Sequence, residues 1–542
     1  MFEGLLRFMS RIIPFLNRKV FFITGATGFL AKGVVEKILR HAPDVERIYL
    51  MIRPRSRTSG KVVAPQERLE REIIQANAFG SLRQALGDGF DTLVREKLVA
   101  VSSDLTQDRL GMDDETYSLL TREVDIVINC AATVVFDEPL DVALTQNTLG
   151  PMRIVEFAKA CQNATLIHVS TAYVSGQRTG KIKEETPVPN SAVAQVIGKT
   201  PNIEFDLEKE IATVLRYCDK VEADSQEPDR VAGFHRFLDK QDRGKRVTEH
   251  RRTHQVEALR QRWKRERLVA RGFERARELG WHDSYTMTKA MGERMIVKTR
   301  GDLPVVIVRP SVIESSLADP EPGWLDGLKV ADPLIAHYGK GRLVDFPARP
   351  DVIFDVIPVD IIVNVILGVL PTVKAEPDVK VYHVCTGDQN PMLLGDMVRL
   401  VYEYFLKNPM LDRKGRPILV KPWKYPSLET FHRRLKYRYQ LPVKTLKWLL
   451  DRVSIGRLKK LKRQLSLLDA TLDNARALSE IYSTYVQLAC EFQTDHMQKL
   501  FEGMDAEDRE IFNCDVLRID WATYIQDIHI PGLKRHVLKF AE

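Results

Sequence analysis

A chain of 542 residues is longer than one ordinary domain, and its composition, 44% hydrophobic and 28% charged with no low-complexity tract or internal period, excludes a disordered or repeat protein. The 81 Lys and Arg against 73 Asp and Glu leave a formal charge of +8, which favours an anionic partner without choosing among nucleic acid, anionic lipid, a polyphosphate cofactor or a CoA-type substrate. The six cysteines (Cys130, Cys161, Cys218, Cys385, Cys490 and Cys514) are scattered, with no CxxC and no pairing with closely spaced His, which predicts a reducing compartment, no structural zinc and no metal ligands.

Residues 1–17 open the chain as MFEGLLRFMSRIIPFLN, apolar near helical spacing but interrupted by Arg7 and Arg11. This is neither a signal peptide nor a bilayer span; it reads as an amphipathic helix docked on the protein, with an interfacial membrane helix as the alternative. From Lys19 short apolar runs alternate with amphipathic stretches, the pattern of a parallel sheet covered by helices. KVFFIT reads as the first strand, residues about 28–40 as a helix, and RIYLMI, LVAVSSDL, VDIVIN, ATLIHVS and LPVVIVRP as further strands. A long insertion, residues about 180–280, separates the strand ending at Ser170 from the helix near Tyr285, and its second half is densely charged. The run IPVDIIVNVILGVLP is too short to cross a membrane and is interrupted by Asp360 and Asn364. Beyond about residue 390 the pattern becomes helical and basic. The expected fold is therefore α/β, a Rossmann-type doubly wound parallel sheet over 18–390, with a mostly helical C-terminal domain over 391–542.

Four signals carry chemistry. Thr24-Gly25-Ala26-Thr27-Gly28-Phe29-Leu30-Ala31 follows a strand and opens a helix, where glycines let backbone approach a pyrophosphate at the helix N-terminus. At the end of the second strand, where an acid selects NAD, stand Arg53, Arg55 and Arg57, which favours a 2′-phosphate and hence NADPH. Tyr285 and Lys289 are spaced i, i+4, so a helix sets phenol and ammonium on one face. Ser170 and Thr171 end the fifth strand, at the edge where ligands bind such sheets.

In this order the residues resemble those of extended short-chain dehydrogenases/reductases, with Ala31 where that family usually has a third glycine. More narrowly, NCAATVVFDEPLDVALTQNTLG (129–150), RPSVIESSLADPEPGWLDG (309–327), DVIPVDIIVN (355–364) and FNCDVLRIDWATYIQDIHIPGL (512–533) resemble alcohol-forming fatty acyl-CoA reductases. The resemblance implies Thr171, Tyr285 and Lys289 as catalytic residues, Thr171 being preferred to Ser170, which alternates to the other side of the strand. It implies cofactor contacts from Thr24, Gly25, Thr27, Gly28, Phe29, Leu30, Arg53, Arg55, Asp104, Leu105, Ala131, Lys289, Pro310 and Ser311. Asn147 matches a helical Asn near the catalytic Lys of related enzymes, while Asp515, Asp520 and Trp521 read as helix packing.

The resemblance further implies reduction of a long-chain acyl-CoA, or acyl-carrier-protein thioester, by NADPH to an aldehyde and then to a fatty alcohol, as in wax-ester synthesis. Lys289 would lower the pKa of Tyr285, and the PGWLDG loop and C-terminal part would cover an apolar tunnel. A cytoplasmic protein is expected, peripheral at a membrane at most, binding no nucleic acid; the oligomeric state is open. The alternatives are an aldehyde-forming thioester reductase and a nucleotide-sugar epimerase or dehydratase.

Overall fold

The structure is a computed structural model that describes residues 10–56, 62–200, 203–242, 247–343, 345–412, 414–451 and 459–538. Arg57 and the first nine residues lie outside them. Seven strands form one sheet: β1 Val20–Thr24, β2 Arg47–Ile52, β3 Leu98–Ser102, β4 Ile126–Asn129, β5 Thr165–Val169, β6 Val305–Pro310 and β7 Lys380–Val384. They run in the order β3-β2-β1-β4-β5-β6-β7, every neighbour parallel, which is the doubly wound arrangement expected. The strand order reverses between β1 and β4, and a ligand cleft opens beyond the carboxyl ends of the strands at such a point.

The sheet is covered on both faces, which is why its strands read as continuous apolar runs. Alternate residues of β1 divide between two cores. Phe21 and Ile23 face one that also takes in Trp324, the helix Val359–Val369 and residues Val486 to Leu533. Val20 and Phe22 face the other, built on the helix Gly150–Ala160. The chain beyond residue 390 thus packs on the same core as β1.

Val359–Val369 is buried along its whole length, and among the described residues no helix is long and apolar enough to cross a membrane. The short helix Ile12–Leu16 is docked on the protein, with Ser10 Oγ and the Arg11 amide donating to Asp508 at 2.6 and 2.9 Å.

The insertion forms helices Leu207–Gln226, Pro228–Gln241 and Glu249–Glu278, the first and third of which pack on a third apolar cluster holding Trp281, Met287 and Met291. Its charges are largely paired: Arg260 with Glu222 (2.7 Å), Arg275 with Glu210 (2.6 Å), Arg265 with Asp137 (2.9 Å). Strand β7, KVYHV, is not among the expected strands, because five residues interrupted by Tyr and His make no clear period and no amphipathic helix leads into it.

Candidate active site

The turn after β1 leads into helix α1, Phe29–His41. Gly25 has φ +68°, and a Cβ there would lie 2.9 Å from the Ala131 nitrogen and the Cys130 carbonyl carbon, so no side chain fits. The Gly28 amide donates to the Gly25 carbonyl at 2.8 Å, which turns the N-terminus of α1 toward the cleft. Gly25, Thr27, Gly28, Phe29 and Leu30 line one cavity of about 840 Å³. Thr24 stands behind that wall, its hydroxyl donating to Asn129 Oδ1 (2.6 Å) and accepting the Ala131 amide (3.0 Å), so it stitches β1 to β4.

Tyr285 and Lys289 sit on helix α2, Ser284–Thr299, whose start is fixed by a reciprocal cap. Asp283 Oδ1 accepts the Thr286 amide at 2.8 Å, and Thr286 Oγ1 accepts the Asp283 amide at 3.4 Å. Tyr285 and Lys289 line the cavity with Thr171, Pro310 and Ser311. Lys289 is almost wholly buried, and its ammonium donates to the Val169 carbonyl at the end of β5 at 2.8 Å. Burial lowers its pKa to about 8, with the Glu293 carboxylate opposing. The Tyr285 phenol is pushed up by burial, while a hydrogen bond with the Thr171 hydroxyl works downward and Asp283 adds to the rise. In this state Thr171, rather than Lys289, favours the phenolate.

Ser170 reaches the wall as well, contrary to the alternation expected, and its buried hydroxyl has no hydrogen-bond partner among the described residues. The strand ends at Val169 and the chain turns into the short helix Ala172–Ser175, so the alternation stops just before these hydroxyls.

Arg53, Arg55, Asp104, Leu105 and Ala131 lie off the cavity wall. Arg53 is exposed and comes within 4.0 Å of Asp104, whose Oδ1 accepts the amide (2.9 Å) and hydroxyl (2.8 Å) of Thr106. Leu105 is buried so closely against Gly150 that a Cβ there would come within 2.7 Å of it. The Asn147 carboxamide accepts the Thr133 amide (3.0 Å) and donates to Thr133 O (3.1 Å) and Thr288 Oγ1 (3.3 Å), which ties it to α2. Asp515 and Asp520 accept the amides of Leu517 and Thr523 as helix caps, and Trp521 donates to Asn390 at 2.9 Å, all of them packing contacts off the cavity wall.

The rest of the cavity is largely apolar and aromatic. Leu328, Val330 and Ala331 come from the loop after PGWLDG, Met397 and Val401 from the helix Leu394–Lys407, and Tyr482 and Tyr485 from the helix Lys459–Tyr485. Its volume lies at the upper end of the ~300–1,000 Å³ usual for small-molecule sites. Trp324 anchors the loop against Phe29, ring centroids 4.6 Å apart, and Asp326 pairs with Lys32 at 2.6 Å. Sequence reasoning missed Phe136, Tyr482 and Tyr485. The Phe136 ring packs edge-on against Tyr285 (5.8 Å), and Tyr485 donates to Asp283 Oδ2 at 2.5 Å. No local pattern in the sequence signals that contact, which spans 202 positions.

Two models described as male sterility protein match, a NAD-binding one over residues 23–366 and a second, named Sterile, over 449–540. The chain is 36% identical to the chloroplastic fatty acyl-CoA reductase 2 of Arabidopsis thaliana, over 97% of this chain and 80% of that one. It is 34% identical to fatty acyl-CoA reductase 1 of the same plant, and 32% to the alcohol-forming fatty acyl-CoA reductase of Simmondsia chinensis, over 98% of this chain and 99% of each. Among solved structures the terminal R domain of the myxalamid PKS-NRPS pathway superposes with a TM-score of 0.57 at 15% identity, covering 96% of this chain and 91% of that one. The reductase domain of a Mycobacterium tuberculosis non-ribosomal peptide synthetase gives 0.51 at 16% identity, covering 98% and 97%; both establish the fold. With a nicotinamide-dinucleotide domain through most of its length and full-length identity above 30%, the chain belongs to the fatty acyl-CoA reductase family.

Proposed function

We propose that this protein reduces long-chain fatty acyl-CoA, through the aldehyde, to the primary alcohol, with NADPH as donor. One observation carries the reading: Thr171, Tyr285 and Lys289 meet the glycine turn on the wall of a single, mainly apolar cavity of about 840 Å³. The turn fits a pyrophosphate, since Gly25, Thr27 and Gly28 line the cavity at the N-terminus of α1. Gly25, Thr27, Gly28, Phe29 and Leu30 would hold the pyrophosphate, Arg53 and Arg55 the 2′-phosphate, Asp104, Leu105 and Ala131 the adenosine half, and Pro310, Ser311 and Lys289 the nicotinamide riboside.

NADPH supplies the hydride in each of two rounds. Thr171 and Tyr285 donate hydrogen bonds to the oxygen of the substrate carbonyl, bonds that strengthen as negative charge gathers there. The first round ends with thiolate expulsion from the hemithioacetal, and in the second Tyr285 gives its proton to the alcohol oxygen. Lys289, whose ammonium donates to the Val169 carbonyl here, would hold a ribose hydroxyl of the bound dinucleotide and keep a positive charge on the same helix face as the phenol.

An acyl-carrier-protein thioester would serve the same chemistry. Leu441, Trp448 and Leu449, exposed beside Lys444, support peripheral contact of a cytoplasmic protein with an anionic bilayer. The deciding experiment is NADPH oxidation with palmitoyl-CoA and chromatography of the lipid product. Two NADPH per hexadecanol support the proposal, one per hexadecanal assigns the aldehyde-forming class, and no turnover on any acyl thioester overturns it.

Two further outcomes are expected. Replacing Arg53 and Arg55 together by Ala should raise KM for NADPH by about tenfold or more, on the scale of lost charge-assisted bonds to phosphate, while leaving the weaker use of NADH unchanged. Steady-state kinetics with the two cofactors checks this. The second concerns pH. Lys289 loses its proton near pH 8 in the folded protein, so kcat/KM should fall as pH rises beyond about 8. Its folded pKa lies below the ordinary 10.5, so the unfolded chain binds the extra proton between those values and this group makes the folded state relatively more stable as pH rises through that window.

A further inference from the structure

We propose that Glu314, Asp332 and His529 form a site for one divalent transition-metal ion, zinc in type, that fastens a wall of the cavity to the C-terminal segment. Glu314 ends the short strand Val312–Glu314 after β6, Asp332 opens the helix Asp332–Gly339, and His529 closes the helical turn Tyr524–His529. Their side chains are only 2%, 0% and 1% exposed.

His529 Nε2 lies 3.2 Å from Asp332 Oδ1 and 3.9 Å from Glu314 Oε2, and one donor atom from each residue falls within 4.8 Å of the others. Bonds of ~2.0–2.2 Å at a tetrahedral angle put ligand atoms roughly 3.3–3.6 Å apart, and the two distances bracket that span. Each residue is anchored on its outer atom. Asp332 Oδ2 accepts the Lys329 amide at 2.6 Å, Glu314 Oε1 faces the Ala331 amide at 3.5 Å, and His529 Nδ1 is paired with Ser315 Oγ at 3.0 Å. The inward atoms Glu314 Oε2, Asp332 Oδ1 and His529 Nε2 face one another, and outside the cluster they have no hydrogen-bond partner among the described residues.

Outer hydrogen bonds that orient a histidine and two carboxylates, with their free atoms converging, are what a metal site requires. Lys329 lies within electrostatic reach of both carboxylates, but its ammonium goes to the Asp326 carbonyl and the face of Phe29, 4.2 Å from the ring centroid. A protonated His529 balances at most one of the two buried carboxylates, whereas a dication neutralises both. One imidazole nitrogen with two carboxylate oxygens suits zinc or cobalt better than calcium or magnesium. The cysteine spacing that argued against zinc says nothing about this site, which contains no cysteine. Glu314 and Asp332 bracket the loop that lends Asp326, Leu328, Lys329 and Val330 to the cavity wall, so the ion sets the position of that wall.

The test uses the full-length protein, stripped with chelator and titrated with Co²⁺ and Zn²⁺. The expected result is one equivalent of tightly held metal by elemental analysis, a visible Co²⁺ d–d band, a higher melting temperature with Zn²⁺, and loss of band and stoichiometry in His529→Gln. Absence of the band and of retained zinc in the unmutated chain would overturn the proposal and leave a cluster held by protons. So would zinc bound equally well by a folded His529→Gln protein. Because the unmutated chain decides the first point, misfolding of the variant leaves the test intact.

Discussion

Tyr285→Phe is expected to lower kcat on palmitoyl-CoA by a factor on the order of 10²–10⁴, the range of a positioned proton donor, with little change in dinucleotide binding or melting temperature. The split follows from the surroundings of the ring. Tyr285 is half-buried, and the packing of its ring edge-on against Phe136 is as available to phenylalanine. What is lost is the hydroxyl, together with its hydrogen bond to Thr171, the contact that offsets part of the rise caused by burial. Because burial dominates, the free protein keeps the phenol protonated, which suits a group whose task is to donate. Thr171→Val should cost less, since one of two donors to the oxyanion remains. Stopped-flow reduction with a parallel thermal melt measures both quantities. Activity within tenfold of the unmutated enzyme would move the proton donor elsewhere, and Tyr485, also on the cavity wall, would be the next to replace.

What the sequence disclosed follows from how local each signal is. RIYLMI is β2 to the residue, and KVFFIT, VDIVIN, ATLIHVS and LPVVIVRP begin or end within two residues of their strands, because buried parallel strands are short apolar runs. The glycine turn and the Tyr285/Lys289 pair were legible for the same reason, since each is one turn of chain with its chemistry inside it. Contacts made across the chain left no trace. Tyr485 meets Asp283 across 202 positions, and His529 meets Asp332 only after the C-terminal segment has folded back onto the loop. Lys289 is an intermediate case: its spacing from Tyr285 was readable, but its bond to the Val169 carbonyl depends on β5 ending beneath α2.

Glu293→Gln should produce the largest loss of stability and should move the pH profile as well. Glu293 lies one turn beyond Lys289 on α2, fully buried, and grips Arg309 of β6 with two parallel bonds of 2.9 and 2.7 Å. Replacing the carboxylate by an amide leaves the Arg309 charge buried and unpaired, a change that costs about 3–5 kcal/mol in buried ion pairs. Arg309 also faces His383 at 3.5 Å, but burial and the arginine itself hold that imidazole down to about 3, so it is neutral and brings no compensating charge. The second effect reaches the active site. Glu293 is the foremost group supporting the Lys289 charge against burial, so its removal lowers the Lys289 pKa below about 8. The basic limb of kcat/KM should therefore shift to lower pH, whereas Glu293→Asp, which keeps the charge, should restore most of it. Denaturant melts and pH profiles of the two variants separate the roles. Lost stability with an unmoved basic limb would confine Glu293 to holding α2 on the sheet, and a limb that moves with the charge would show that one carboxylate both locks the fold and keeps Lys289 protonated.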